Sequence, residues 1–401
     1  WTTSGSDIYY TTGDVGIGTT APSEPLHVDG KVRIDGGVLV LAQGASANDG
    51  FLITSNPNDY VSETSISSVR IGRSAGQLLG NSAQKNIAIG TQALERSTAS
   101  YNLALGFRAA KGMNGGYNVV LGDFAGNQDW ATVTNPRNVI LGYNASQQSN
   151  AGDNVVIGYE ASRYTTGGQN VAIGRSAGLG VSGTSTFANT VAVGYQALTA
   201  LTTGTSNTAV GYQAGLSLTT STRNTAIGYQ AGRSQSTHST TVTAMGYQAG
   251  YSTTAGGVFI GTQAGYSVNN SSNTLVGDGA GQQITSGSGN TALGSGALKS
   301  ASVGNVGVGS EAGRYGAGSY SVLIGHQAGR GTSGNPVNST TLIGRRANYK
   351  GNGSNDVMVG RHAGLNLTSS SGNVLIGDNV ASTETSLSNR LYIENSNSTT
   401  P

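Results

Sequence analysis

Residues 224–231 read Asn-Thr-Ala-Ile-Gly-Tyr-Gln-Ala, and residues 170–177 read Asn-Val-Ala-Ile-Gly-Arg-Ser-Ala. This octet of Asn, three mostly apolar residues, Gly, two variable residues and Ala recurs 19 times in degenerate form. The central glycines occupy positions 72, 90, 106, 122, 142, 158, 174, 194, 211, 228, 246, 261, 277, 294, 309, 325, 344, 360 and 377. Eighteen intervals separate the first from the last, so the mean spacing is about 17 residues, and such a period predicts a solenoid-like repeat fold.

The three residues before each glycine predict a short strand. The residue just before the glycine is a large aliphatic residue in all 19 copies, and the residue two positions earlier is Val, Ile or Thr in 18 copies. Alternate residues of a strand share one face, so we expect these two columns to form the core. The Ala three residues after the glycine, present in 18 copies, predicts a tight inward corner.

The expected fold is an all-β parallel β-solenoid of about 19 coils, with one strand, a turn and a return in each coil. Stacked at the usual strand spacing, 19 coils make a rod on the order of 90 Å long. We place the repeat region at residues 61–384, between an N-terminal β connector at 1–60 and a C-terminal connector at 385–401. A helical period is not found in the repeats, and their glycine content disfavours helices.

Glycine and asparagine mark the predicted turn of each coil. Gly90, Gly174 and Gly228 are expected where the chain needs a positive φ or where backbones approach closely. Asn occupies the position four before the glycine in 12 of 19 copies, as at Asn170 and Asn224. Such amides can stack into a hydrogen-bonded ladder, although each could also act simply as a turn former.

The middle residue of the strand is then expected to face outward. It is Ala in eight copies and a larger hydrophobic residue in nine, with Arg70 and Gly307 as the exceptions. An apolar outer stripe of this length is usually covered by a partner, which predicts homo-oligomerisation along the repeats. The alternative is that a return segment of the same coil covers the stripe.

Composition excludes several classes of protein. The 401 residues include 64 Gly, no Cys and only 10% charged residues, with a net charge of +2. Disulfide scaffolds and cysteine-ligated metal sites are therefore excluded. The small net charge gives no electrostatic footprint for nucleic acid, and no apolar stretch is long enough to predict membrane insertion.

Catalytic constellations are not found in the repeat pattern. Asp123, Asp278 and Asp378 share the column just after the glycine, but at least six coils separate neighbouring members, which puts them at least about 29 Å apart. The four histidines, at 27, 238, 326 and 362, are expected to be solvated surface residues. We therefore expect no enzymatic activity, no cofactor and no metal, although a site shared between chains stays open.

Three further readings concern the coil surface. Trp130 and Phe187 lie in two of the longest returns and are candidate contacts for a sugar or protein ligand, unless each ring caps its own coil. Six tyrosines just after the glycine predict an aromatic ladder. A threonine column at 208, 225, 243, 274, 291 and 341 is expected to face the core, which argues against an ice-binding solenoid.

The octets resemble the head repeats of trimeric autotransporter adhesins of the YadA type, and also repeats of phage tail fibres. This resemblance covers roughly residues 61–384 and implies a left-handed β-roll, a homotrimer, and attachment to a surface glycan or protein receptor. Residues 8–34 resemble connector segments of tail-fibre-like proteins, and residues 389–394 resemble the stretch that often precedes a C-terminal shaft or an intramolecular chaperone. The repeat also echoes the hexapeptide of left-handed β-helix acyltransferases, which carry three hexads per coil where this chain has one.

These observations together predict an extracellular fibrous adhesin-like protein, located on a cell surface or a virion. It would be a stiff rod that presents variable loops for attachment. Two alternatives are a phage tail fibre or spike with a receptor-binding role, and a structural filament subunit that binds only copies of itself.

Overall fold

The computed structural model describes strands at residues 2–4, 7–9, 15–17, 26–28 and 51–53, and then residues 68–77, 83–128, 136–148, 151–234, 241–254, 256–315, 317–332 and 336–395. The chain divides into two compact units, Trp1–Ala47 and Asn48–Pro401. Every regular element within these described ranges is a β-strand.

The strand bounds, in chain order, are β1 Thr2–Ser4, β2 Asp7–Tyr9, β3 Val15–Ile17, β4 Leu26–Val28, β5 Phe51–Ile53, β6 Val69–Ile71, β7 Ile87–Ile89, β8 Leu103–Leu105, β9 Val119–Leu121, β10 Val139–Leu141, β11 Val155–Ile157, β12 Val171–Ile173, β13 Val191–Val193, β14 Thr208–Val210, β15 Thr225–Ile227 and β16 Val242–Met245. They continue with β17 Ser252–Thr253, β18 Gly257–Ile260, β19 Ser267–Val268, β20 Asn273–Val276, β21 Thr291–Leu293, β22 Val306–Val308, β23 Val322–Ile324, β24 Val337–Asn338, β25 Thr341–Ile343, β26 Gly353–Ser354, β27 Val357–Val359, β28 Ser369–Ser371, β29 Val374–Ile376, β30 Ser386–Ser388 and β31 Leu391–Ile393.

The first unit contains two small strand pairs. Strands β1 and β2 pair antiparallel, and β3 and β4 pair parallel.

The second unit is a parallel β-solenoid, as the repeat predicted. Its main sheet starts at β5, continues through the strand of each repeat and ends at β31, with each strand paired in parallel to that of the next coil. The register is strict, so that Val155 of β11 lies opposite Val171 of β12, and Val156 opposite Ala172. Equivalent repeat positions therefore form continuous columns along the sheet.

The return segments add shorter sheets. Strands β17 and β19 pair in parallel, and β24, β26, β28 and β30 form a second ladder in the C-terminal coils. The stack therefore extends beyond the predicted limits of 61–384. It begins with β5 at residue 51, and β30 and β31 continue both ladders through residue 393.

The predicted orientation of the strands is wrong. The middle residue of each strand, which we name the centre column, faces the core: Val120, Ile140 and Phe259 are at most 1% exposed. The residues on either side of it, the flanking columns, point outward and are half-buried or exposed. The predicted apolar outer stripe at the centre column is therefore the core instead.

Alternation along the chain gives the physical reason. The asparagine column, four residues before the repeat glycine, is buried, so the residue two positions later shares its inward direction. The inward centre residue is Ala in eight coils and a larger hydrophobic residue in nine, so residue size does not mark the inward column. The prediction placed the columns of uniformly large residues in the core, whereas the structure places them on the outer face.

Large side chains from the returns fill the core where the centre residue is small. Gly307 takes the centre position of β22, and a Cβ atom there would lie 2.6 Å from Leu298 Cγ. The ring of Phe187 packs beside Gly178, which follows the buried Ala177. The alanine column, three residues after the repeat glycine, is buried as predicted.

Candidate interaction surfaces

The repeat glycines form a column of close backbone contacts, which confirms the prediction for Gly90, Gly174 and Gly228. Their φ angles are 127°, 128° and 132°, a conformation that strains any residue with a Cβ atom. A Cβ atom on Gly174 would also lie 2.7 Å from the carbonyl oxygen of Gly194 in the next coil. Both reasons for glycine therefore hold at the same position.

The asparagine column forms the predicted ladder. Asn170 donates its backbone N–H to Asn154 Oδ1 at 2.9 Å, and its own Oδ1 accepts the N–H of Thr190 in the next coil. Asn224 donates both its backbone N–H and its side-chain amide to Asn207 Oδ1, each at 2.9 Å. These side chains are buried, so each hydrogen bond satisfies a polar group that has no access to water.

The flanking columns create an aliphatic face on the outside of the main sheet. Exposed members include Leu105, Leu293 and Ile343, of which Leu293 is 51% exposed. The face follows the described stack, because every repeat contributes a large apolar residue just before its glycine, and 13 of the 19 repeats contribute a second one two positions earlier. This is the apolar outer surface that the sequence predicted, but it is built by different columns.

The threonines predicted to face the core also lie on this face. Thr208 and Thr225 are half-buried in flanking positions, so the reason given against an ice-binding surface does not hold. Each threonine is nevertheless followed, two residues later, by an aliphatic residue such as Val210 or Ile227. The outer face is therefore mixed Thr-aliphatic rather than a double threonine array.

The column just after the repeat glycine carries stacked aromatic rings, which confirms the predicted ladder. Tyr195, Tyr212, Tyr229 and Tyr247 stack in sequence with centroid distances of 5.3, 5.0 and 5.3 Å. Tyr143 and Tyr159 form a second stack, and the guanidinium of Arg175 bridges Tyr159 and Tyr195. Ring faces cover one another in this arrangement, so ring edges and hydroxyl groups face the solvent.

The next position, two residues after the repeat glycine, carries a second amide ladder that the sequence analysis missed. We name it the glutamine column. Gln213, Gln230, Gln248 and Gln263 each donate a side-chain N–H to the glutamine of the preceding coil, at 2.9 to 3.0 Å. The recurring Tyr-Gln-Ala of the octet was the available signal for this ladder.

A charged cluster occupies the same column further along the stack. Glu311 pairs with Arg314 and Arg330, and it also accepts a hydrogen bond from Gln327 at 2.8 Å. Burial acts to raise the pKa of Glu311, but the hydrogen bonds from Gln327 and Arg330 and the charges of Arg314 and Arg330 outweigh burial and hold it below its ordinary value. Arg330 in turn lies over the rings of Tyr315 and Tyr349.

Of the two proposed ligand contacts, only Phe187 lies among the described residues. Phe187 is 1% exposed and packs inside the solenoid, so its ring caps the core and its role as a ligand contact is a wrong prediction. The long return after Gly174 turns inward because the small Ala172 and Gly178 leave room for the ring. Trp130 lies outside the described residues.

The acidic column residues are separate from one another. Asp123 accepts the backbone N–H of Phe107, and Asp378 pairs with Arg361, whose hydrogen bonds are the main reason why the pKa of Asp378 is lowered. His326 is exposed, and His362 Nδ1 lies 3.1 Å from Asn379 Oδ1. The described residues contain no group of three or more His, Cys, Asp or Glu that could hold a metal ion.

Within the described part of the chain, no helix is long and apolar enough to span a membrane. Comparisons with family models, with curated proteins and with solved structures gave no significant match to this chain.

Proposed function

We propose that this chain is a non-enzymatic segment of an extracellular fibre, which associates with copies of itself and attaches to a surface. The outward aliphatic face of the main sheet is the observation that carries this proposal. A contiguous apolar patch larger than a few hundred Å² is rare on a monomer and marks an interaction surface. A face that repeats coil by coil has the same spacing as the equivalent face of another copy, which favours a second copy as the partner.

Association in register also explains the low charge of the chain. Only 10% of residues are charged, and none of them lies in the flanking columns of the 19 repeats. Three copies packed through these faces would form a homotrimer like that implied by the resemblance to adhesin head repeats. The corner columns with tyrosine and glutamine then stay accessible and provide the surface for attachment, where repeated weak contacts gain through avidity.

Sedimentation of the purified chain tests the association. We expect a trimer, and a triple variant Leu293→Lys, Ile324→Lys, Ile343→Lys should sediment as a folded monomer because buried unpaired cations are costly. The matched control, Thr262→Lys, Ser295→Lys, Ser310→Lys, places the same charges in the exposed column of neighbouring coils and should stay trimeric. A wild-type monomer at micromolar concentration would contradict the proposal.

Binding to host-type surfaces separates attachment from a purely structural role. Labelled wild-type chain should bind a subset of immobilised glycans or matrix proteins in a saturable manner. Association without any such binding would favour the filament subunit that binds only itself.

A further inference from the structure

A polar notch interrupts the glutamine column. It has a volume of about 290 Å³ and extends from Gln263 to Glu311, over four consecutive coils. Gly279 and Gly296 form its floor, because these two coils have no side chain at the position that Gln occupies further back along the stack. At the usual strand spacing the notch is about 14 Å long.

The two floor glycines are not required by the backbone. Their φ angles of 61° and 63° are close to those of the other members of this column, and all 17 of those coils carry a side chain there. A Cβ atom on Gly279 would meet nothing within 4 Å, and one on Gly296 would make only contacts of 3.9 Å or more. The notch therefore exists because two side chains are absent from this column. In contrast, the repeat glycines are required by close backbone contacts.

The walls of the notch combine both signs of charge with neutral polar groups. Asp278 and Glu311 supply carboxylates, Lys299 and Arg314 supply cations, and Gln263, Gln282, Ser295 and Ser310 complete the lining. Glu311 is held in place by its two arginine partners, whereas Arg314 Nε is buried without a hydrogen-bond partner. Among the described residues, no carboxylate lies within ion-pair distance of Lys299, and Asp278 has no cationic partner.

We propose that this notch binds a neutral saccharide unit. Two carboxylates and two cations leave the walls without net charge, so a charged ligand gains nothing overall. Hydroxyl groups both donate and accept hydrogen bonds, which matches a wall that offers acceptors and donors side by side. The volume is near the lower end of the range for small-molecule pockets and suits a single sugar ring.

This inference deepens the proposed attachment function and rests on it. The notch has no aromatic residue in its lining, so we expect weak binding by one chain and useful affinity only when several chains bind one surface.

Saturation-transfer NMR with glucose, galactose, mannose and N-acetylglucosamine tests the site on the wild-type chain. The decisive variant is Gly279→Gln, Gly296→Gln, which continues the glutamine ladder and fills the notch. The control variant is Ser74→Gln, Ser176→Gln, which adds the same side chains to the same column in distant coils. We expect saturation transfer to at least one sugar from wild type and control, and at least a tenfold weaker signal from the filled variant.

The outcomes separate this site from attachment in general. Equal sugar binding by the filled variant, or no binding of any neutral sugar by the wild type, would overturn the notch as a saccharide site. Preference for an anionic sugar such as N-acetylneuraminic acid would overturn its neutral character. Saturable binding to surfaces that the filled variant retains would leave the proposed attachment function standing, while its absence from every variant would remove that function as well.

Discussion

The asparagine column and the glutamine column are two ladders of side-chain amides at different corners of the same coil. Asn224 is 2% exposed. Its side-chain amide donates a hydrogen bond to Asn207 Oδ1 and accepts one from the backbone N–H of Val242. Gln230 is half-buried, and its side-chain amide forms hydrogen bonds with the glutamines of the two adjacent coils. Asn fills 12 of 19 positions in the first ladder, whereas the second column also holds Arg, Phe, Glu, His and Gly.

This difference shows how burial divides one repeat into a scaffold and a variable surface. Loss of an amide from the buried ladder leaves a backbone N–H without a partner and without access to water. This costs about 1–3 kcal/mol for each unsatisfied group. The same loss at the half-exposed corner is compensated by water. Chemistry can therefore change from coil to coil in the glutamine column, and both the Glu311 cluster and the polar notch lie there.

The largest difference in stability is expected between substitutions of two glycines, one in the tightly packed scaffold and one on the variable surface. Gly174→Ala should destabilise the solenoid by more than about 3 kcal/mol, because the strained φ and the contact with the Gly194 carbonyl oxygen act together. Gly279→Ala should cost about 1 kcal/mol, the usual penalty for a left-handed alanine in open space. Chemical denaturation of both variants measures the difference, and equal midpoints would show that the close glycine contacts do not stabilise the stack.

The two amide ladders themselves give the second contrast. Asn224→Ala should cost about 1–3 kcal/mol, since the Val242 N–H loses its buried acceptor, whereas Asn207 Oδ1 keeps the backbone N–H of residue 224. Gln230→Ala removes two hydrogen bonds that solvent can replace and should cost less than about 1 kcal/mol. Thermal unfolding of the two variants decides it: a larger effect for Gln230→Ala would mean that burial does not separate the ladders.

Much of this architecture could be predicted from the repeat, and the error in strand orientation has a physical origin. The positions of the strands, the glycine corner, the asparagine ladder and the stacked tyrosines follow from residues that recur at fixed positions, such as Gly228 and Tyr229. The predicted orientation of the strand is wrong because the columns of large side chains lie on the outer face rather than in the core. The buried Asn224 two positions before Ala226 would have given the correct direction.

Features that occur once in the chain were harder to predict. Phe187 enters the core because its neighbours are small, which depends on contacts between coils rather than on its own repeat position. The sequence does contain a signal for the notch. Two consecutive coils have glycine, at 279 and 296, in a column that otherwise holds side chains. The meaning of this signal depends on charged walls that come from three different coils, and only the register of the stack brings them together.

The smallest expected effect concerns the charge within the variable corner. Because the pKa of Glu311 is lower in the folded chain than its ordinary value, the ionised carboxylate stabilises the fold above about pH 4.3, and this contribution is lost as the pH falls through the lowered folded value. The contribution should be below about 1 kcal/mol, since the pair is partly exposed.

Glu311→Gln, which keeps the shape of the side chain, isolates this contribution. The wild type should unfold at a higher temperature than the variant at pH 7, and the gap should narrow between about pH 4.3 and pH 3, because protonation leaves both side chains neutral. Gln327→Glu would place a second carboxylate beside the first, 2.8 Å from Glu311 where the amide now donates a hydrogen bond. Repulsion between the two carboxylates is opposed by Arg346, which donates to Gln327 Oε1 at 2.8 Å, so this variant should be less stable than the wild type at pH 7, and the deficit should narrow on acidification. A gap independent of pH in both variants would show that this column tolerates charge without cost.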